Sequence, residues 1–289
     1  MRTACLHIVS PARNESNNLV NLHLNIESQF NNPFEIHWTI VVNNSIDNTL
    51  EVAKSIKSSK MKIQVLEYGK VGNLTTAADY YSFWHGVDSV KDIDFEYIMK
   101  LDCDVRLDVN YLSKLYLGIQ NRSGLFGGVN VSKGEGQQLE KRLVRGATSC
   151  YSHQAINTLR SVPIALGYDV MDKVYLIDAG LECEIIRSAT YTVVRKTYTS
   201  EGSLKGRFRN GVTCKYVGYS FVYFSLHLLR LVIKRPYVFG ALASLCGYVI
   251  TRNSPYPSRM RMLHKEYQIL KLQNLCLHPI LWIKQNYFL

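Results

Sequence analysis

The sequence predicts an α/β fold built on a mostly parallel, doubly wound sheet with right-handed crossovers. Three observations carry this. Short apolar runs alternate with helix-period stripes through the first half of the chain, each run ends in a polar turn, and the composition is that of a packed globular protein, 47% hydrophobic and 20% charged over 289 residues. Ala4 to Val9 reads as the first buried strand, after which Ser16 or Asn17 can cap a helix carrying Leu19, Leu22 and Ile26. Ile36 to Val42 reads as the second strand, and Asp47 can cap a helix with Leu50, Ala53 and Ile56 on one face. A third strand spans Ile63 to Leu66, and a stripe from Leu74 through Trp84 to Val87 leads into a fourth, Phe95 to Leu101. Leu125 to Val131 reads as the fifth strand. The Gly-containing region 132–150 lacks apolar periodicity and is expected to be a mobile loop.

Charge is divided unevenly along the chain. Residues 1–186 hold 18 Lys and Arg against 21 Asp and Glu, a net of −3, whereas residues 187–289 hold 16 against 2, a net of +14. The total of +11 therefore belongs to the C-terminal third, a distribution suited to meeting polyanions, either anionic lipid or nucleic acid. Seven scattered cysteines without a Cys-x-x-Cys pair indicate neither a disulfide framework nor a zinc site, and favour a reducing compartment. The opening residues do not read as a secretory signal.

In a doubly wound sheet, ligands sit at the carboxyl ends of the strands. The residues there are Pro11-Ala12-Arg13-Asn14-Glu15, Asn43-Asn44-Ser45-Ile46-Asp47, Gly69-Lys70-Val71-Gly72 and Asp102-Cys103-Asp104. Paired aspartates at a strand mouth can serve a hard divalent cation, which prefers oxygen ligands and takes the remainder from phosphate and water. A cap or turn role is the plain structural alternative for such a pair, and Asp108 is better read as a cap. Lys70, in a glycine turn, can place an ammonium near a diphosphate or simply face solvent.

These four segments, in this order and spacing, resemble family-2 glycosyltransferases of the GT-A fold, the inverting, nucleotide-sugar-dependent type found in polysaccharide biosynthesis. The resemblance covers about residues 4–200. It implies Mg²⁺ or Mn²⁺ as cofactor, held by Asp104, and a nucleotide-diphosphate sugar, a UDP-sugar, bound by Pro11, Ala12, Arg13, Glu15, Asn43, Lys70 and Asp102. The second motif departs from the family, because Asn43 and Asn44 stand where an aspartate usually contacts the base. The segment Gly167 to Leu176 looks like the family's acidic acceptor motif. It implies Asp172 as the general base, with Asp169 as the other candidate and helix capping as the structural alternative. Arg195 or Lys196 would contact the diphosphate in place of the family's histidine.

The tail contains 14 uncharged residues between Lys215 and Arg230 and 16 between Arg235 and Arg252. Both runs are shorter than the roughly 20 apolar residues needed to span a bilayer. Arg207, Arg209, Lys215, Arg230, Lys234, Arg235, Arg252, Arg259 and Arg261 bracket them, which is the composition of helices lying in a membrane interface. The resemblance implies a nucleotide-sugar half at 1–135, an acceptor half at 136–200 and a lipid-linked or polysaccharide acceptor, and the composition of residues 201–289 points to a basic, membrane-associating helical tail, expected at the cytoplasmic face. Two readings compete with an active transferase. A nucleotidyltransferase would need a Gly-rich loop after the first strand, which Pro11 to Glu15 does not supply. A catalytically silent family member is suggested by Asn43 and Asn44, and a membrane- or nucleic-acid-binding module would use the +14 tail, in which no nucleic-acid motif is recognisable.

Overall fold

The computed structural model of the chain describes residues 4–29, 31–70, 76–90, 94–132, 144, 146–194, 203–233 and 236–277. It divides into two compact units, one of residues 1–72, 77–164 and 175–195, the other of residues 73–76, 165–174 and 196–289.

The first unit is built on one eight-stranded sheet. Its strands are β1 (Ala4–Ala12), β2 (Phe34–Asn43), β3 (Met61–Tyr68), β4 (Tyr97–Leu101), β5 (Val105–Leu107), β6 (Gly124–Asn130), β7 (Thr148–Ser152) and β8 (Glu182–Val193). They lie in the order β3-β2-β1-β4-β7-β6-β8-β5. The expected parallel sheet is present from β3 to β4. Beyond it the sheet is mixed, because β7 pairs antiparallel with both β4 and β6, and β5 pairs antiparallel with β8. The sequence reading missed β5, β7 and β8. β5 has three residues, too few for a period, and β7 (Thr-Ser-Cys-Tyr-Ser) is polar in composition although every residue in it is buried. Residues 148–152 thus correct the expectation of a loop across 132–150, most of which lies outside the described residues.

Helices cover both faces. Leu19, Leu22 and Ile26 of α1 (Ser16–Glu27) join Leu6, Ile8 and Trp38 in the principal core, together with α2 (Thr49–Ser55) and α4 (Tyr111–Ile119). Alternation along β1 and β2 turns Val9 and Val41 to the opposite face, where Gly86 of α3 (Ala78–Asp88) packs onto them. Two capping expectations change. Neither Ser16 nor Asn17 caps α1: Glu15 precedes it, with no capping bond from its side chain to a backbone amide. Its carboxylate accepts instead from Asn18 Nδ2 at 2.7 Å. Asn48, not Asp47, is the residue before α2, although Asp47 Oδ1 does accept from the Thr49 amide at 3.1 Å. The short helix α5 (His153–Leu159) follows β7 and is capped by Ser152, whose Oγ accepts from the Ala155 amide.

The second unit is helical, with the first half of α6 (Tyr168–Asp178) and all of α7 (Ser203–Tyr216), α8 (Phe221–Val232), α9 (Tyr237–Ile250) and α10 (Ser258–Leu277). α7 and α9 cross at backbone distance. A Cβ on Gly211 would lie 1.8 Å from the Ser244 carbonyl oxygen, and one on Gly247 2.1 Å from that of Phe208. A small core of Cys214, Phe224 and Tyr248 sits beside this crossing, the last two rings stacked at 4.0 Å. Tyr256 Oη donates to the Ala165 carbonyl at 2.9 Å, tying residues 165–174 into the unit. Among the described residues no helix is long and apolar enough to cross a membrane.

Candidate active site

Strand register brings the four polar turns to one edge of the sheet. Ala12 pairs with Val42, Asn43 with Tyr68 and Val9 with Lys100, so Pro11 to Glu15, Asn43 to Asp47, Gly69-Lys70 and Asp102 to Asp104 all emerge at the carboxyl ends of adjacent strands. Pro11 is half-buried and Ala12 buried, while Arg13 is exposed. The turns after β1 and β2 are interlocked: the Asn14 amide donates to Ser45 Oγ at 3.1 Å, the Ile46 amide to Asn14 Oδ1 at 2.9 Å, and the Glu15 amide to Thr49 Oγ1 at 2.8 Å. Asn14 and Asn44 both hold positive φ, 57° and 49°, a conformation that asparagine tolerates better than other non-glycine residues.

The base-side asparagines differ in availability. Asn43 is buried, donates to Ser82 Oγ at 3.0 Å and accepts from Asn44 Nδ2 at 3.1 Å, whereas Asn44 is exposed. Lys70, also exposed, lies with its ammonium 4.5 Å from the centre of the Tyr81 ring. Gly72, its expected companion, lies outside the described residues, as do Arg195, Lys196, Lys234 and Arg235.

At the mouth of β4, Cys103 is buried and its Sγ donates to the Pro11 carbonyl at 3.4 Å. Burial pushes its thiol well above the ordinary range, and the charges of Glu15, Asp102 and Asp104 push it in the same direction. Asp102 and Asp104 are half-buried, and the Asp102 carboxylate accepts from Lys100 Nζ. Arg106 adds a cation, donating through one NH to the Cys103 carbonyl at 3.2 Å and through the other to Asn18 Oδ1 at 3.2 Å. Among the described residues no group of three or more His, Cys, Asp or Glu forms a metal cage. Asp108 is not the cap expected of it: Asn110 is the residue before α4, with no side-chain capping bond, and the Asp108 carboxylate accepts instead from the Val109 amide, Lys114 and Thr190.

Sequence reasoning missed Lys100 and Arg106. Lys100 carried a legible signal: a lone cation in an apolar strand, two residues before Asp102 and therefore on the same face. Arg106 carried none, since β5 was not recognised.

Asp172 belongs to the second unit. It stands in the second turn of α6, fully buried, so it is not the cap of that helix. Asp169, in the first turn, is exposed.

The sequence matches no protein-family model and no curated protein. Solved structures do resemble the fold. A mannosyltransferase, PcManGT from Pyrobaculum calidifontis, in complex with GDP-Man and Mn²⁺, superposes with a TM-score of 0.54 at 13% identity, covering 92% of this chain and 80% of that one. Residues 1–349 of S. aureus TarS, in complex with UDP-GlcNAc, superpose with a TM-score of 0.50 at 13% identity, covering 98% and 89%. At this identity the likeness shows the fold alone, and that fold is a GT-A-like glycosyltransferase fold.

Proposed function

We propose that the chain is an inverting, metal-assisted glycosyltransferase of family 2, moving a sugar from a nucleotide-diphosphate donor, a UDP-sugar, to a hydroxyl of a lipid-linked or polysaccharide acceptor. The observation that carries this reading is the strand register that brings the four polar turns, with Glu15, Asp102 and Asp104 among them, to the carboxyl-end edge of a glycosyltransferase-like sheet.

In this reading Pro11, Ala12, Arg13, Glu15, Asn43 and Lys70 line the nucleotide pocket, Asp102 faces the ribose, and Asp104 holds Mg²⁺ or Mn²⁺. The half-buried Asp104 carboxylate fits a hard cation, which would complete its shell with phosphate and water oxygens. When bound, the ion supplies charge neutralisation for the diphosphate as it leaves. The acceptor oxygen attacks the anomeric carbon as the bond from that carbon to the diphosphate oxygen breaks. The hydroxyl proton passes to a carboxylate on the acceptor side, Asp172, with Asp169 as the other candidate. Residues 1–135 form the donor half, 136–200 the acceptor half and 201–289 the basic tail.

The tail sets the location at the inner face of the cell membrane. Phe221, Val222, Leu226, Leu229 and Val232 line one exposed face of α8, and Val238, Phe239, Leu242, Val249 and Ile250 one exposed face of α9. Arg230 and Arg252, also exposed, lie in or beside them. Apolar faces flanked by arginine in a segment of strong positive charge favour an anionic bilayer.

The test is calorimetric titration of the purified chain with UDP-, GDP-, dTDP- and ADP-sugars, with and without MnCl₂. A saturable, Mn²⁺-dependent signal for one nucleotide, lost in Asp104→Asn, supports the reading, and no binding across the panel overturns it. Asp172→Asn is expected to retain donor binding and lose transfer. Asp169→Asn losing transfer in its place moves the base to Asp169.

A further inference from the structure

We infer that Lys100 is a positioning residue of the donor site, holding Asp102 in the orientation that meets the nucleotide; this rests on the site reading proposed above. The Lys100 side chain is 1% exposed, next to last in a strand whose other members are the buried Tyr97, Ile98, Met99 and Leu101. Burying an ammonium costs several kcal/mol unless partners offset it, and an apolar residue of similar length packs such a position at no electrostatic cost. Here the offset comes from two carboxylates. Lys100 Nζ bonds Asp102 Oδ1 and lies 3.6 Å from Asp79 Oδ2 of α3, and it donates to the Gly146 carbonyl at 3.3 Å. Burial alone would lower the lysine's pKa, but the two carboxylates outweigh it and raise the pKa above the ordinary value, so the cation persists.

The asymmetry of exposure points to the purpose. Asp102 and Asp79 are 36% and 48% exposed, while the lysine that grips them is hidden. A buried cation beneath exposed carboxylates does not screen a surface patch. It anchors the carboxylates from inside, and the bond to Oδ1 fixes where Asp102 Oδ2 points. Lys100 is level with Val9, so the carboxylate so fixed belongs to the edge at which Pro11 and Ala12 emerge. Asp79 gives the ammonium a second anchor on a different element, which keeps it from following Asp102 outward.

The experiment is a double-mutant cycle on nucleotide binding, with UDP and GDP each titrated with MnCl₂ into the full chain. Lys100→Met is expected to weaken binding by ~10–100-fold, the range seen when the partner that orients a site ligand is removed. The double variant with Asp102→Asn is expected to bind no more weakly than Asp102→Asn alone, because the lysine acts through that carboxylate. Losses that multiply in the double variant, or wild-type affinity in a folded Lys100→Met, overturn the inference. Lys100→Gln enters the same cycle if the methionine variant does not fold. If neither folds while Asp102→Asn does, Lys100 serves the core and the inference also fails. Absence of binding by the wild type is a different result, and sinks the site reading itself.

Discussion

The sheet unit and the helical unit solve the same problem, enclosing apolar side chains, in opposite ways. The first interlocks large residues: Trp38, Tyr111, Phe126 and Tyr151 are all essentially inaccessible between strands and covering helices. The second brings backbones together at Gly211 and Gly247 and turns much of its aliphatic and aromatic surface outward. The difference teaches that apolar content does not by itself specify a core. Where small residues carry the helix contact, many of the large ones can stay at the surface.

The largest expected effect tests the interlocked core. Trp38→Ala removes a fully buried ring and the bond from its Nε1 to Ser10 Oγ, and is expected to cost about 3–5 kcal/mol in guanidinium denaturation followed by circular dichroism. Next comes acid. His7 is buried in β1 against Thr39, and burial, with His37 adding to it, lowers its pKa to about 3. The unfolded chain takes up this proton near pH 6.5 and the folded chain does not, so the stability is intact above pH 6.5 and is lost as pH falls towards 3. Between pH 6.5 and 4.5 the loss is about 2 kcal/mol, the slope rising from half of about 1.4 kcal/mol per unit at pH 6.5 to nearly all of it below pH 5.5. His7→Gln should flatten that slope relative to wild type in denaturation series run across the interval.

A smaller effect probes the close crossing. Gly211→Ala forces a methyl into the Ser244 carbonyl and is expected to cost about 1–3 kcal/mol, read as earlier loss of helical signal and faster proteolysis of the tail. The smallest sharpens the contrast most. Phe221→Ser with Phe239→Ser, both at exposed positions, should change stability by no more than about 0.5 kcal/mol. The same pair should markedly reduce sedimentation with phosphatidylglycerol vesicles. A large stability loss without any change in vesicle binding would make this surface part of the fold.

Much of the parallel half was legible because β1 to β4 and α1 to α3 each follow a single period and end in a recognisable turn. The mixed half was not, because β7 is buried through its neighbours and not through its composition, and β5 exists only as a partner of β8. The strand-end residues proposed for the donor pocket could be read for the same reason: register in a parallel sheet carries the ends of adjacent apolar runs to one edge. What the sequence could not disclose was the state of each side chain. Asn43 is buried against Ser82 while Asn44 faces outward, and Asp172 is deep within a helix while Asp169 lies open.

The amino-acid order by itself determined the alternation of strands and helices, the polar turns and the segregation of positive charge into the tail, since these depend on local period and composition. Only the tertiary structure decided that β7 would insert antiparallel beside β4, that a buried Lys100 would sit under Asp102 and Asp79, and that α8 and α9 would keep apolar faces outward. Each of these depends on contacts between residues distant in the chain, where burial and pairing outweigh local propensity.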